Sequence, residues 1–149
     1  MCLDKFNLRP ARETDLTAIR SLVYSTNINP TGLKWPRFII AEAPDGKLIA
    51  CGQIKPHIDG SKELASLAVQ SEYRGRGIAR AILEKLMLNA PRPLYLMCRL
   101  QLGVFYEKFG FYTLQPENMP PYFRRISWLA SMVDLFAREG NTLLVMCCD

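Results

Sequence analysis

Apolar positions along this chain recur at two spacings, alternately strand-like and helix-like, and together they outline a succession of short elements. Phe6-Asn7-Leu8-Arg9 reads as a first strand ended by Pro10, after which Asp15 is expected to cap a helix with Leu16, Ile19, Leu22 and Val23 on one face. Asn27-Ile28-Asn29-Pro30-Thr31-Gly32 stops that helix as a loop. Arg37 to Glu42 and Leu48 to Ile54 form an antiparallel pair about the turn Pro44-Asp45-Gly46-Lys47. A looser turn from Pro56 to Lys62 leads into the strand Glu63 to Val69. A helix is predicted from about Gly77 to Asn89, with Ile78, Ile82 and Leu86 four residues apart. The short apolar run Leu94 to Cys98 follows as a buried strand.

Leu102, Phe105, Tyr106 and Phe109 make the apolar face of a third helix, with Gly110 just past its end and a strand from Phe111 to Leu114. A fourth helix, roughly Ser127 to Arg138, is expected to bury Trp128, Leu129, Met132, Val133 and Phe136, before a last strand from Thr142 to Cys147. Hairpins mixed with crossovers predict an α/β (mixed α+β) fold, a mixed sheet flanked by helices. The 149 residues, with no repeat or long linker, suit one domain over 1–149.

Composition changes this picture little: 49% apolar and 22% charged residues are ordinary for a soluble domain. No apolar run spans a bilayer, and the start of the chain lacks a signal-peptide core, so a cytoplasmic protein without membrane partners is expected. Cys2, Cys51, Cys98, Cys147 and Cys148 are odd in number and lack C-x-x-C spacing, which favours buried, reduced thiols. His57, the single histidine, has no ligand-spaced partner, so no metal is expected. The net charge of +5 suits a polyanionic partner, which includes a phosphate-bearing cofactor.

The candidate chemistry lies in Glu63 to Lys85. A strand ends, Arg74-Gly75-Arg76-Gly77-Ile78-Ala79 turns with two glycines, Arg80 follows, and a helix begins at once. Glycines let backbone N–H groups approach an anion, and a helix N-terminus adds partial positive charge, so this junction suits a pyrophosphate. It lacks the Gly-Lys-Ser/Thr of a phosphate-binding P-loop, and Arg80 occupies the third glycine position of a dinucleotide fingerprint.

The pattern Arg-x-x-Gly-x-Ala at a strand–helix junction resembles the coenzyme-A loop of the GCN5-related N-acetyltransferases. Three further segments agree in order: Glu63-Leu64-Ala65-Ser66-Leu67-Ala68-Val69, Gly103-Val104-Phe105-Tyr106-Glu107-Lys108-Phe109-Gly110-Phe111, and the opening Leu8-Arg9-Pro10-Ala11 with Asp15-Leu16. The resemblance covers roughly residues 6 to 114. It implies a mostly antiparallel sheet splayed between Glu63–Val69 and Leu94–Cys98 to admit acetyl-CoA. It further implies backbone contacts from Leu67, Ala68 and Val69 to the pantetheine arm, and a pyrophosphate on Arg74, Gly75, Arg76, Gly77, Ile78 and Ala79. Phe105 would touch the coenzyme, Glu63 would be the general base and Tyr106 the acid for the departing thiolate.

The activity so implied is transfer of acetyl from acetyl-CoA to a primary amine of a small molecule or protein, by direct attack in a ternary complex, by a monomer or homodimer. The alternative is a catalytically silent acyl-CoA sensor. Tyr122-Phe123-Arg124-Arg125 lacks an accompanying nucleic-acid module, so no nucleic-acid partner is expected. His57, in the loop before the Glu63 strand and near where a substrate would approach, reads more readily as a surface turn residue than as a functional one, and the alternative to the base role of Glu63 is a solvated glutamate at a strand edge beside Lys62. The segment from Gln115 onwards departs from the family pattern, and a packing role is expected for its helix.

Overall fold

The computed structural model describes residues 5–134 and 142–149. Two compact units emerge: one holds the chain up to Lys55 together with Leu64–Ala90, the other Pro56–Glu63 together with Pro91–Asp149.

In the first unit, β1 (Asn7–Pro10), β2 (Phe38–Glu42), β3 (Leu48–Pro56) and β4 (Lys62–Val69) are neighbours in that order. β1 and β2 pair antiparallel, Leu8 opposite Ala41, as do β2 and β3, Ile40 opposite Cys51. Helix α1 (Leu16–Ser25) buries Ile19, Leu22 and Val23 among Phe38, Ile40, Leu48 and Cys51. Each such side chain removed from water contributes about 1.5–3 kcal/mol before entropy is counted.

Asp15 does not cap α1 with its side chain. Its carboxylate instead accepts the Arg12 N–H at 2.7 Å and two bonds from Arg9, whose Nε also reaches Glu42 Oε2 at 2.8 Å. A guanidinium with two acidic neighbours outcompetes a lone helix N–H for that carboxylate. Helix α2 (Ile78–Asn89) buries Ile82, Leu83 and Leu86. It lies so close to Gly52 of β3 that a Cβ there would meet Ile82 at 2.9 Å.

In the second unit, β7 (Leu143–Cys148) runs between β5 (Leu94–Arg99) and β6 (Tyr112–Thr113), antiparallel to both. Helix α3 (Gly103–Glu107) is shorter than expected. It closes as anticipated: Gly110 takes φ 91, its N–H bonds Glu107 O, and the Phe111 N–H reaches back to Tyr106 O. This is the paired-bond helix end that glycine favours.

Helix α4 (Pro121–Asp134) begins six residues earlier than expected, with Pro121 in the first turn where its missing N–H costs nothing. That start sets a different buried face. Phe123 is fully buried with Met119 and Val145, and the partly covered row continues through Ile126, Ser127 and Ala130. Trp128, Leu129 and Met132 are 60%, 47% and 43% exposed, contrary to the core role expected of them. The Val133 side chain and Phe136 lie outside the described residues, as does Cys2. Cys51, Cys98, Cys147 and Cys148 are buried, unpaired thiols. Among the described residues no helix is long and apolar enough to cross a membrane.

Candidate active site

The glycine turn lies wholly in the first unit. Gly75 and Gly77 both adopt φ 78, a left-handed backbone that L side chains resist, and nothing lies within 4 Å of where their Cβ atoms would be. Gly77 is the N-cap of α2 and supplies no side-chain cap. The first N–H groups of α2 have no intrahelical acceptor, as at any helix start. Arg74 folds back so that Nε donates to Val69 O at 3.3 Å, Arg76 stacks over the Tyr73 ring at 5.1 Å, and Arg80 pairs with Glu84 at 2.9 Å. The result is an exposed, cationic turn at a helix start, chemically able to hold a pyrophosphate.

Leu67, Ala68 and Val69 precede it at the end of β4, where Ser66 departs from extended backbone with φ 57. A left-handed serine costs about 1–3 kcal/mol and persists only where its surroundings hold it. Here Ser66 Oγ accepts from buried Gln53 Nε2 at 3.0 Å, which also reaches Gly32 O at 3.3 Å. Gln53 Oε1 is buried without a protein partner. The irregular backbone at Ser66 lies directly before the residues where pantetheine contacts are expected. The sequence gives little warning of this beyond a serine within an apolar strand.

Tyr106 and Phe105 belong to the second unit. Their rings meet edge to face at 5.0 Å, and Tyr106 also approaches Phe111 at 6.1 Å. Burial, with a smaller effect of Cys98, pushes the Tyr106 hydroxyl up to about 12. Tyr106 is thus a neutral hydrogen-bond donor over the whole physiological range, as an acid for a thiolate must be.

Glu63 is not solvated. It is 6% exposed, and its Oε1 lies 2.7 Å from His57 Nε2. His57 is no surface residue either: only 6% of its side chain is exposed. The hairpin explains how the two meet. Gly60 N–H bonds His57 O and His57 N–H bonds Ser61 O, so six residues of chain fold back and bring the ring alongside Glu63. Tyr122 stacks on the imidazole at 3.5 Å and 16°, while Phe123 meets it edge-on at 5.5 Å. Asp59 ties this hairpin to α4, its Oδ2 accepting the Tyr122 N–H at 3.0 Å and its Oδ1 the Ser61 N–H and hydroxyl. Those bonds, led by the Ser61 hydroxyl, hold the Asp59 carboxyl below its usual range.

A buried carboxylate bonded to an imidazole that two aromatic rings cover can take up or pass on a proton. His57, Asp59 and Tyr122 were not among the expected site residues. Their one available signal was the six-residue spacing of His57 and Glu63 about Asp59-Gly60. A hollow of about 280 Å³ opens beside Asp59, Lys62, Arg92 and Tyr95, all in the second unit. A larger one of about 370 Å³ beside Leu33, Trp35 and Arg37 contains none of the expected catalytic residues.

A family profile for the acetyltransferase (GNAT) domain matches residues 34–113, more than half of the chain. No curated protein matches. Among solved structures, Rv2747 from Mycobacterium tuberculosis, in complex with CoA and NLQ, is 24% identical with a TM-score of 0.71, over 95% of this chain and 98% of that one. N-acetylglutamate synthase from Neisseria gonorrhoeae, complexed with coenzyme A and N-acetyl-glutamate, is 21% identical with a TM-score of 0.69. That alignment covers 97% of this chain but only 35% of the Neisseria enzyme, so the chain spans about a third of its length. Glucosamine-6-phosphate N-acetyltransferase from Arabidopsis thaliana is 19% identical with a TM-score of 0.59, over 74% of this chain and 94% of that one. The α+β fold is the fold of these neighbours, and the family match shows that the chain belongs to the GNAT acetyltransferase family.

Proposed function

We propose that the chain transfers the acetyl group of acetyl-CoA to a primary amine of a small molecule or protein, by direct attack in a ternary complex. Both units are read as parts of one acetyltransferase domain, since the family match runs from residues of the first into residues of the second. Four buried, unpaired cysteines support a reducing, cytoplasmic setting.

The coenzyme's pyrophosphate takes the N–H groups of Arg74 to Ala79, and its pantetheine arm the backbone of Leu67 to Val69, with Phe105 a further contact. The amine nitrogen forms a bond to the acetyl carbon as the carbon–sulfur bond breaks and its electron pair passes to sulfur. Glu63, with His57 bonded to it, accepts the proton that the nitrogen loses. The Tyr106 hydroxyl gives a proton to the sulfur, and solvent then restores both groups.

The observation that carries this reading is the buried Glu63–His57 pair, an expensive arrangement for a purely structural role in a strand end. Two molecules described with coenzyme A share the fold, which supports the choice of acyl donor. The test is release of free thiol from acetyl-CoA across a panel of amines, with the acetylated product identified by mass. Binding of acetyl-CoA with no transfer to any amine would replace the enzyme reading with that of a silent sensor.

A further inference from the structure

Resting on the reading of Glu63 as the base, we propose that Tyr122 is a positioning residue: its ring, stacked on the imidazole, holds His57 where Nε2 meets the Glu63 carboxylate, which makes the start of α4 part of the proton-handling apparatus. Tyr122 lies beyond residues 34–113, where the family match ends.

Three contacts define the imidazole. Glu63 Oε1 fixes it in its plane at 2.7 Å, Tyr122 covers a face at 3.5 Å, and Phe123 closes an edge at 5.5 Å. Near-parallel stacking at this distance leaves the ring no room to swing about its last torsion without pushing Tyr122 aside. Tyr122 is itself held from two directions. Its backbone N–H is fixed by Asp59, and the next residue, Phe123, is fully buried beside Tyr95, Met97 and Val145. The ring is thus placed by the core of the second unit. Because the carboxylate accepts, Nε2 carries the hydrogen of this pair, and the tautomer that this geometry selects is the Nε2–H form.

His57 is the only histidine in the chain, so ring-labelled [¹⁵N]histidine in protein carrying no added histidine tag reports on this imidazole alone. Wild type should show the Nε2–H tautomer, with ring-proton resonances moved upfield by the Tyr122 face. Tyr122→Phe keeps the face and should preserve both signatures and turnover within about threefold. Tyr122→Leu should lose the upfield displacement and populate both tautomers. In the transfer assay it should lower kcat about tenfold or more with KM for acetyl-CoA unchanged, the pattern of a lost transition-state contribution. Unchanged tautomer and kcat in Tyr122→Leu overturn the proposal, as does a Tyr122→Phe variant as impaired as Tyr122→Leu. The spectroscopic arm needs no substrate, so failure of wild type to acetylate any amine overturns the parent reading without touching this one.

Discussion

Replacing Asp59 by alanine removes three hydrogen bonds at once: those from Ser61 N–H, the Ser61 hydroxyl and Tyr122 N–H. The last of these holds a backbone N–H in the first turn of α4, so Asp59 serves that helix as a cap supplied from a distant hairpin. A capping interaction contributes about 1 kcal/mol, and each exposed hydrogen bond about 0.5 kcal/mol, so the total loss is about 1–2 kcal/mol. For a chain of 149 residues this lowers Tm by about 3–6 °C. The pH dependence follows from the sign of the shift. Asp59 is held below its usual range in the folded protein, so its contribution is present above the unfolded carboxyl value of about 3.9 and fades as pH falls through the folded one. Urea melts of wild type and Asp59→Ala from pH 7 down to pH 3 should show a gap that narrows in acid. A gap constant with pH, or none at pH 7, would refute the reasoning.

Other outcomes follow from the same geometry. Tyr106→Phe should lower kcat by about 10²-fold while leaving acetyl-CoA affinity unchanged; full activity removes the hydroxyl from the mechanism. Since that hydroxyl is pushed up to about 12, no basic limb from Tyr106 should enter the kcat profile below about pH 10. Gly77→Ala meets no neighbour but forces a Cβ onto φ 78, so melts should show a loss of about 1–2 kcal/mol and titration a several-fold weaker hold on acetyl-CoA.

Much of this arrangement is legible in the chain itself, and the exceptions have physical causes. The alternation of strands and helices is set by local periodicity, which is why β1 to β7 and α1 to α4 occur in the expected order. Gly110 is readable because a helix end needs a left-handed residue just there. The burial of α4 is not readable in that way. Pro121 starts the helix early, and Phe123 rather than Trp128 finds the core, a choice made by packing against Met119 and Val145. The glycine turn is visible because its backbone needs are local. The state of Glu63 is not, because its partner His57 arrives through a hairpin and is itself covered by Tyr122, 59 residues beyond Glu63. The strain at Ser66 is hidden for the same reason: it is held by Gln53, a residue of another strand.

The central claim is that the buried Glu63–His57 pair takes the proton from an amine that accepts acetyl. The direct measurement is kcat for amine acetylation by Glu63→Gln beside wild type, with acetyl-CoA affinity determined on both by titration. Glutamine keeps the size and a bond to His57 but cannot serve as a base, so kcat should fall by about 10²–10⁴-fold with the affinity unchanged. A Glu63→Gln protein that turns over at the wild-type rate would contradict the account.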